Sequence, residues 1–328
     1  MKKIIKWFLS KSLKFKIIFG IVVLLSVSFF IHIQFMKRKG NILDNIQFSA
    51  SYSDKNDQLL QIFLTEDDKY RIFRPLEQYP PEFIEALLMQ EDKFFYTHAG
   101  VNFVALVKAG WETYIKKSRR IGASTITMQV AKLKYNLYTK NIPGKINQII
   151  KAFYLELCFS KDEILEAYLN LAPVGGNVEG FETGAWYYFN KNIRQLNLSE
   201  IIMLCVLPQN PIKRAPTTYR TPSELISARK ILFETWIEKH PEDEDKKIFM
   251  DMQMSVKCSF PNEARHFTEM IYHEKKIKNE NGIPLRTTLD LQKQKKCEEL
   301  LQIYINQNKN FGVKNGSILL LDWTNMNI

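Results

Sequence analysis

Glu91 stands seven residues after Ile84, four after Leu87 and three after Leu88, so helical periodicity puts its carboxylate on the apolar, inward face of its own helix. Desolvation there raises a carboxylate pKa towards neutrality, the range in which a general base works at pH 7. A buried glutamate paired with a lysine has the same spacing, and this helix alone does not separate the two readings. Asp92 follows directly, where a helix-end carboxylate holds or orients partners. A second set of residues suits an anion. Gly122 and Ala123 lead into a helix expected over 125–138 with Ser124 as N-cap; Ile126, Val130, Leu133 and Leu137 form its buried stripe, and Thr125, Gln129 and Lys132 a polar row. A small-residue loop feeding a helix start, with a lysine two turns in, can hold a phosphate.

Charge strengthens the anion reading. Lys108, Lys116, Lys117, Arg119, Arg120, Lys132, Lys134, Lys140, Lys145 and Lys151 face one acid, Glu112, for a local net charge of +9 within a chain of 328 residues that carries +11. Such a patch needs a polyanion or a phosphate. The choice between them depends on where the domain sits. Residues 1–16 hold six lysines and no acid, residues 17–35 carry no formal charge, and Lys37, Arg38 and Lys39 follow. This is the pattern of an uncleaved transmembrane helix with a basic cytoplasmic tail, which places the catalytic domain outside the cytoplasmic membrane. An outward tether argues against nucleic acid; a lipid-linked pyrophosphate at the bilayer surface fits both facts.

The elements that must position these residues are mostly helices. Pro80 and Pro81 open the Glu91 helix, after a spacer (36–69), and β-prone runs fall at 58–64 and 69–73 within the stretch 41–74. A third helix from about residue 144 is expected to bury Ile146, Ile149, Ile150, Phe153 and Leu157, with Lys145 and Gln148 together on a polar face. Glu156 falls among the buried positions and is by burial a rival to Glu91; it is read as structural, paired into a neighbouring helix. Ser160 to Glu163 form a capping box for a fourth helix through Ile164, Leu165, Tyr168 and Leu169, which breaks at 173–176, and helices follow at 181–189 and 199–207. Residues 70–239 thus form one mostly α domain, followed by a charged linker (240–284) and a short α+β fragment (285–328). Cys158, Cys205, Cys258 and Cys297 lie far apart without His at ligand spacing, so neither a zinc module nor a disulfide framework is encoded.

The ordered blocks Glu91-Asp92-x-x-Phe95-x-x-His98-x-Gly100, Gly122 to Gln129, Leu155-Glu156 and Ser160 to Asn170 closely resemble family 51 glycosyltransferases. These are the peptidoglycan glycosyltransferase domains of class A penicillin-binding proteins, and the phrases around Met128, Gln148, Pro173 and Pro208 are most similar to the 1C type. The resemblance implies a lysozyme-like helical fold that polymerises lipid II in cell-wall synthesis. Glu91 would deprotonate the acceptor sugar's 4-hydroxyl, which attacks C1 of the donor with inversion and expels undecaprenyl pyrophosphate. Asp92, Ser124, Thr125, Gln129 and Lys132 would bind lipid substrate, with Lys140 and Lys145 on the pyrophosphate. Most members of the family carry a glutamate where this chain has Gln148, which can position substrate only by hydrogen bonds, and Met128 replaces the first of two usual glutamines. The implied partners are lipid II, the growing glycan, the cytoplasmic membrane and other cell-wall synthesis proteins. The residues encode no protein metal site, and any Mg²⁺ or other divalent cation would sit on substrate phosphates. Residues 285–292 and 316–323 resemble the entry to a transpeptidase domain, but no Lys-Thr-Gly exists and Ser227-Ala228-Arg229-Lys230 sits on an amphipathic helix, so no transpeptidation is expected. A membrane-anchored inactive scaffold and a lysozyme-like hydrolase are the alternative functions.

Overall fold

The computed structural model describes residues 20, 24, 27, 28, 40–102, 124–274 and 282–320. Of the expected membrane span, Gly20, Leu24, Val27 and Ser28 are described, all helical, and among the described residues no helix is long and apolar enough to cross a membrane. The rest of that span, the basic tail, Gly122, Ala123 and the patch residues Lys108, Lys116, Lys117, Arg119 and Arg120 lie outside the described residues. The chain is mostly helical, as expected, and divides into two compact units, residues 1–46 with 91–168 and residues 47–90 with 169–328.

Helix α1 (Pro81–Glu91) begins on a proline, whose fixed φ suits a first turn and whose missing N–H costs nothing there. Its fully buried residues are Phe83, Ala86 and Leu87, while Ile84 and Leu88 are half-buried. The buried stripe is therefore turned slightly from the expected one, and Glu91 falls at its edge, half-buried.

In the first unit, helix α2 (Ile126–Lys134) is shorter than expected. Its N-cap is Thr125 rather than Ser124: Thr125 has extended backbone and its hydroxyl accepts from Met128 N at 3.2 Å. The Ser124 hydroxyl instead accepts from Lys145 Nζ. The helix ends at Lys134, four residues before the expected end, and Asn136 just beyond it has a left-handed φ of +46° that breaks the helical run. Helix α3 (Ile142–Cys158) starts on Asn141, whose side chain accepts from Gly144 N at 2.9 Å. Only glycine fits at 144, because a Cβ would lie 1.9 Å from the Tyr138 carbonyl oxygen.

The expected apolar face of α3 points the wrong way for a core. Ile146, Ile150 and Leu157 are exposed, and Ile149 and Phe153 are half-buried. The buried line is Gln148, Ala152, Leu155 and Cys158, and the helix packs against α2. Gln148 selects this face: its amide donates to the Met128 carbonyl at 2.6 Å, and Ala152 next along the line lets the two backbones approach. Helix α4 (Lys161–Leu171) has the expected capping box, with Ser160 N donating to Glu163 Oε2 at 2.7 Å and Glu163 N donating to Ser160 Oγ at 3.2 Å.

In the second unit, strands β1 (Ser51–Ser53) and β2 (Leu59–Ile62) pair antiparallel, and β5 (Leu285–Arg286) adds to β1 in parallel, after a small hairpin of β3 (Pro173–Gly175) with β4 (Val178–Glu179). Residues 69–73 form no strand; Tyr70 makes a single bridge to Val178. Helices α5 (Phe181–Phe189) and α6 (Leu198–Val206) are apolar nearly all round and form the core of this unit, with α7 (Ser223–Ile237) packed on α6. Arg229, inside the Ser-x-x-Lys letters, is fully buried and donates to the Phe249 and Met252 carbonyls and to Ser199, with its pKa pushed down by burial to about 10. That makes this stretch a helix-packing element. The linker 240–284 is more ordered than its composition suggests, since it carries helix α8 (Arg265–Glu274), and α9 (Leu291–Asn308) follows β5.

Candidate active site

Six consecutive residues at the start of α2 gather most of the expected site residues. Glu91, the last residue of α1, is held by Gln129, whose Nε2 donates to Oε2 at 2.6 Å, while Oε1 is shielded from solvent. The other end of the Gln129 amide accepts from the Tyr168 hydroxyl at 3.4 Å, which fixes which end of the amide faces the carboxylate. This hydrogen bond fixes the direction of the carboxylate.

At the other end of the same six residues lies a cation. Lys145 Nζ donates to Ser124 Oγ at 2.7 Å and to Gln148 Oε1 at 2.9 Å, both neutral oxygens. Burial, and then the neighbouring positive charge of Lys132, pull the Lys145 pKa below the ordinary lysine range. Two cations close enough to oppose each other's charge form a site that an arriving anion stabilises. Lys132 itself is exposed. Lys140 is also exposed, on the turn ahead of α3, outside the hydrogen bonds that join the others. Gln148 sits between the two parts, buried, receiving Lys145 and donating to Met128.

Asp92 and Thr125 face inward. Asp92 is buried, with its oxygens 3.0 and 2.9 Å from His98 Nε2, and Oδ2 also accepts from Ile126 N at 3.1 Å. Thr125 is buried as well and donates to the Gly100 carbonyl at 2.6 Å. The rival acid Glu156 is bound to Lys161 Nζ at 2.7 Å and accepts from Thr127 at 2.5 Å, with Lys161 also lying over the Phe95 ring. His98, Thr127 and Lys161 stand inside the sequence blocks but were given no site role there. The Glu156 and Lys161 pair spans the break between α3 and α4, where helical spacing gives no signal. Among the described residues no three His, Cys, Asp or Glu side chains converge as a metal site.

The family profile described as Transglycosylase matches residues 56–236, which contain every residue of this site. The chain belongs to the transglycosylase family. Among transglycosylase relatives, penicillin-binding protein 1C of Escherichia coli strain K12 is 34% identical over 247 residues, covering 73% of this chain and 30% of the relative. Penicillin-binding protein 1B of Buchnera aphidicola is 29% identical over 281 residues, covering 81% of this chain and 36% of its own. The chain thus spans about a third of the length of these relatives. A solved structure, penicillin-binding protein 1A from Haemophilus influenzae, covers 85% of this chain and 32% of that one at 17% identity, with a TM-score of 0.36.

Proposed function

We propose that this chain is a peptidoglycan glycosyltransferase that extends glycan strands from lipid II at the outer face of the cytoplasmic membrane. The observation that carries the reading is the arrangement of opposite charges about one helix start. Ser124 holds Lys145, Met128 holds Gln148, and Gln129 holds Glu91, all within about 10 Å of chain rise. Glu91 takes the proton of the acceptor sugar hydroxyl as its oxygen bonds to C1 of the lipid-linked donor. The bond from C1 to the pyrophosphate oxygen breaks with its electron pair, and the departing diphosphate gathers negative charge. Lys145 and Lys132 are preorganised cations for that charge, and Ser124 and Gln148 orient Lys145. A divalent cation would travel on the substrate's phosphates; the carboxylates near the cations do not form a cage for it.

The outward apolar face of α3 supports a membrane partner. Ile142, Ile146 and Ile150 repeat every four residues and are 69%, 52% and 58% exposed on the helix that carries Lys145. An apolar stripe beside lysines suits a helix lying against lipid, where it would bring the cations to the level of a lipid-borne diphosphate.

The test is to incubate detergent-solubilised protein with lipid II and follow the size of the product. Growth of glycan chains with release of lipid pyrophosphate is the expected result. Shortening of preformed glycan would identify a hydrolase, and inertness towards both substrates an inactive scaffold; either outcome overturns the proposal.

A further inference from the structure

Asp92 is placed to act on the protein rather than on a ligand. Its side chain is 4% exposed, and both oxygens face His98 Nε2, which must therefore carry the ring proton. Oδ2 accepts in addition from Ile126 N, the first amide of α2 and one of the four that a helix leaves without an internal acceptor. The same helix start is tied a second time, by Thr125 Oγ1 to the Gly100 carbonyl. Gly100 has φ +84°, and a Cβ there would come within 2.8 Å of Glu156 Cγ, so the loop from Asp92 to Gly100 has one seat. From Ile126 to Gln129 is less than one helical turn. Any shift of the helix start moves the Gln129 amide away from the carboxylate that precedes Asp92 in the chain.

We propose that Asp92 and His98 form a latch that fixes the start of α2 against the segment from Glu91 to Gly100, and so positions Gln129 on Glu91 without touching substrate. The inference rests on the reading of Glu91 as the base of glycosyl transfer. Both residues are positioning residues, and loss of the latch lowers turnover while leaving substrate affinity in place.

The experiment uses the full chain in detergent with His98→Ala and His98→Gln. Lipid II polymerisation gives kcat and KM, and hydrogen exchange is followed in the peptide over residues 124–130. The alanine variant is expected to lose about 100-fold in kcat with KM held within about threefold, and to exchange the Ile126 and Met128 amides faster. The glutamine variant, whose amide can still donate to Asp92, recovers most of the turnover and the slow exchange. Should the alanine variant fail to fold, Asp92→Asn replaces it under the same expectations, because it removes the paired acceptors that the latch needs. Full kcat in the alanine variant, a loss carried by KM, or unchanged exchange would overturn the latch. A wild-type chain that never extends lipid II would sink the glycosyl-transfer reading instead, and the exchange comparison would still decide the latch.

Discussion

Two places in the first unit hold a carboxylate and a lysine, and they use them in opposite ways. Where α3 meets α4, Glu156 and Lys161 lie 2.7 Å apart and neutralise each other, with Thr127 completing the glutamate. Around the start of α2, among the described residues, Lys145 donates to a hydroxyl and an amide oxygen, and Glu91 receives an amide from Gln129. One pair is a structural brace. The other arrangement joins each of the two groups by hydrogen bonds to neutral side chains, the separation of proton acceptor from leaving-group anchor that the proposed glycosyl transfer requires.

The largest effect expected from disturbing this contrast is at the cation. If the proposed function holds, Lys145→Ala removes the half-buried charge assigned to the leaving diphosphate and should reduce kcat/KM about 100- to 1,000-fold, measured by lipid II consumption, with the melting temperature little changed. At the brace the outcome should reverse. Lys161→Met leaves Glu156 without its cation and should cost about 2 kcal/mol of unfolding free energy in denaturant titration, with kcat within a few-fold of wild type. If Lys161→Met proved catalytically dead but stable, the two places would not differ in kind.

Two smaller effects sharpen the comparison through pH. Because the Lys145 pKa lies below the ordinary lysine range, its charge is present at low pH and lost as pH rises through that lowered value. KM for lipid II should therefore climb on the alkaline side earlier than an exposed lysine would allow, and Lys145→Arg, charged throughout, should abolish that limb. Gln148→Glu places a carboxylate on Lys145 and should shift the limb to higher pH, while the Met128 carbonyl loses its donor; kcat should fall only about two- to fivefold. A profile for Gln148→Glu that overlays wild type would break the link between Gln148 and the lysine.

Much of this could be read from residue spacing. The capping box of α4 and the limits of α5 and α6 to within a residue follow from local chemistry, since caps and apolar runs are decided within a few residues. The same periodicity put Glu91 on the inward face of α1, whereas the buried stripe is turned towards Phe83 and Ala86 and leaves Glu91 half-buried at its edge. The orientation of α3 did not. Its isoleucines form a regular apolar stripe, and spacing shows that a stripe exists without showing whether protein or lipid covers it. The N-cap of α2 was displaced by one residue because Ser124 has another use, as the acceptor for Lys145 from twenty-one residues away. The latch of Asp92 and His98 was out of reach for the same reason: their six-residue separation is ordinary in a loop, and its meaning appears only when Ile126 N arrives from another segment.

The most direct measurement of the central claim compares Glu91→Gln with Glu156→Gln in lipid II polymerisation, with lipid II binding and thermal stability followed alongside. Glu91→Gln is expected to lose about 1,000-fold in chain growth while still binding lipid II, and Glu156→Gln to lose stability with turnover within a few-fold. Chain growth that survives Glu91→Gln and disappears in a stable Glu156→Gln would contradict the account.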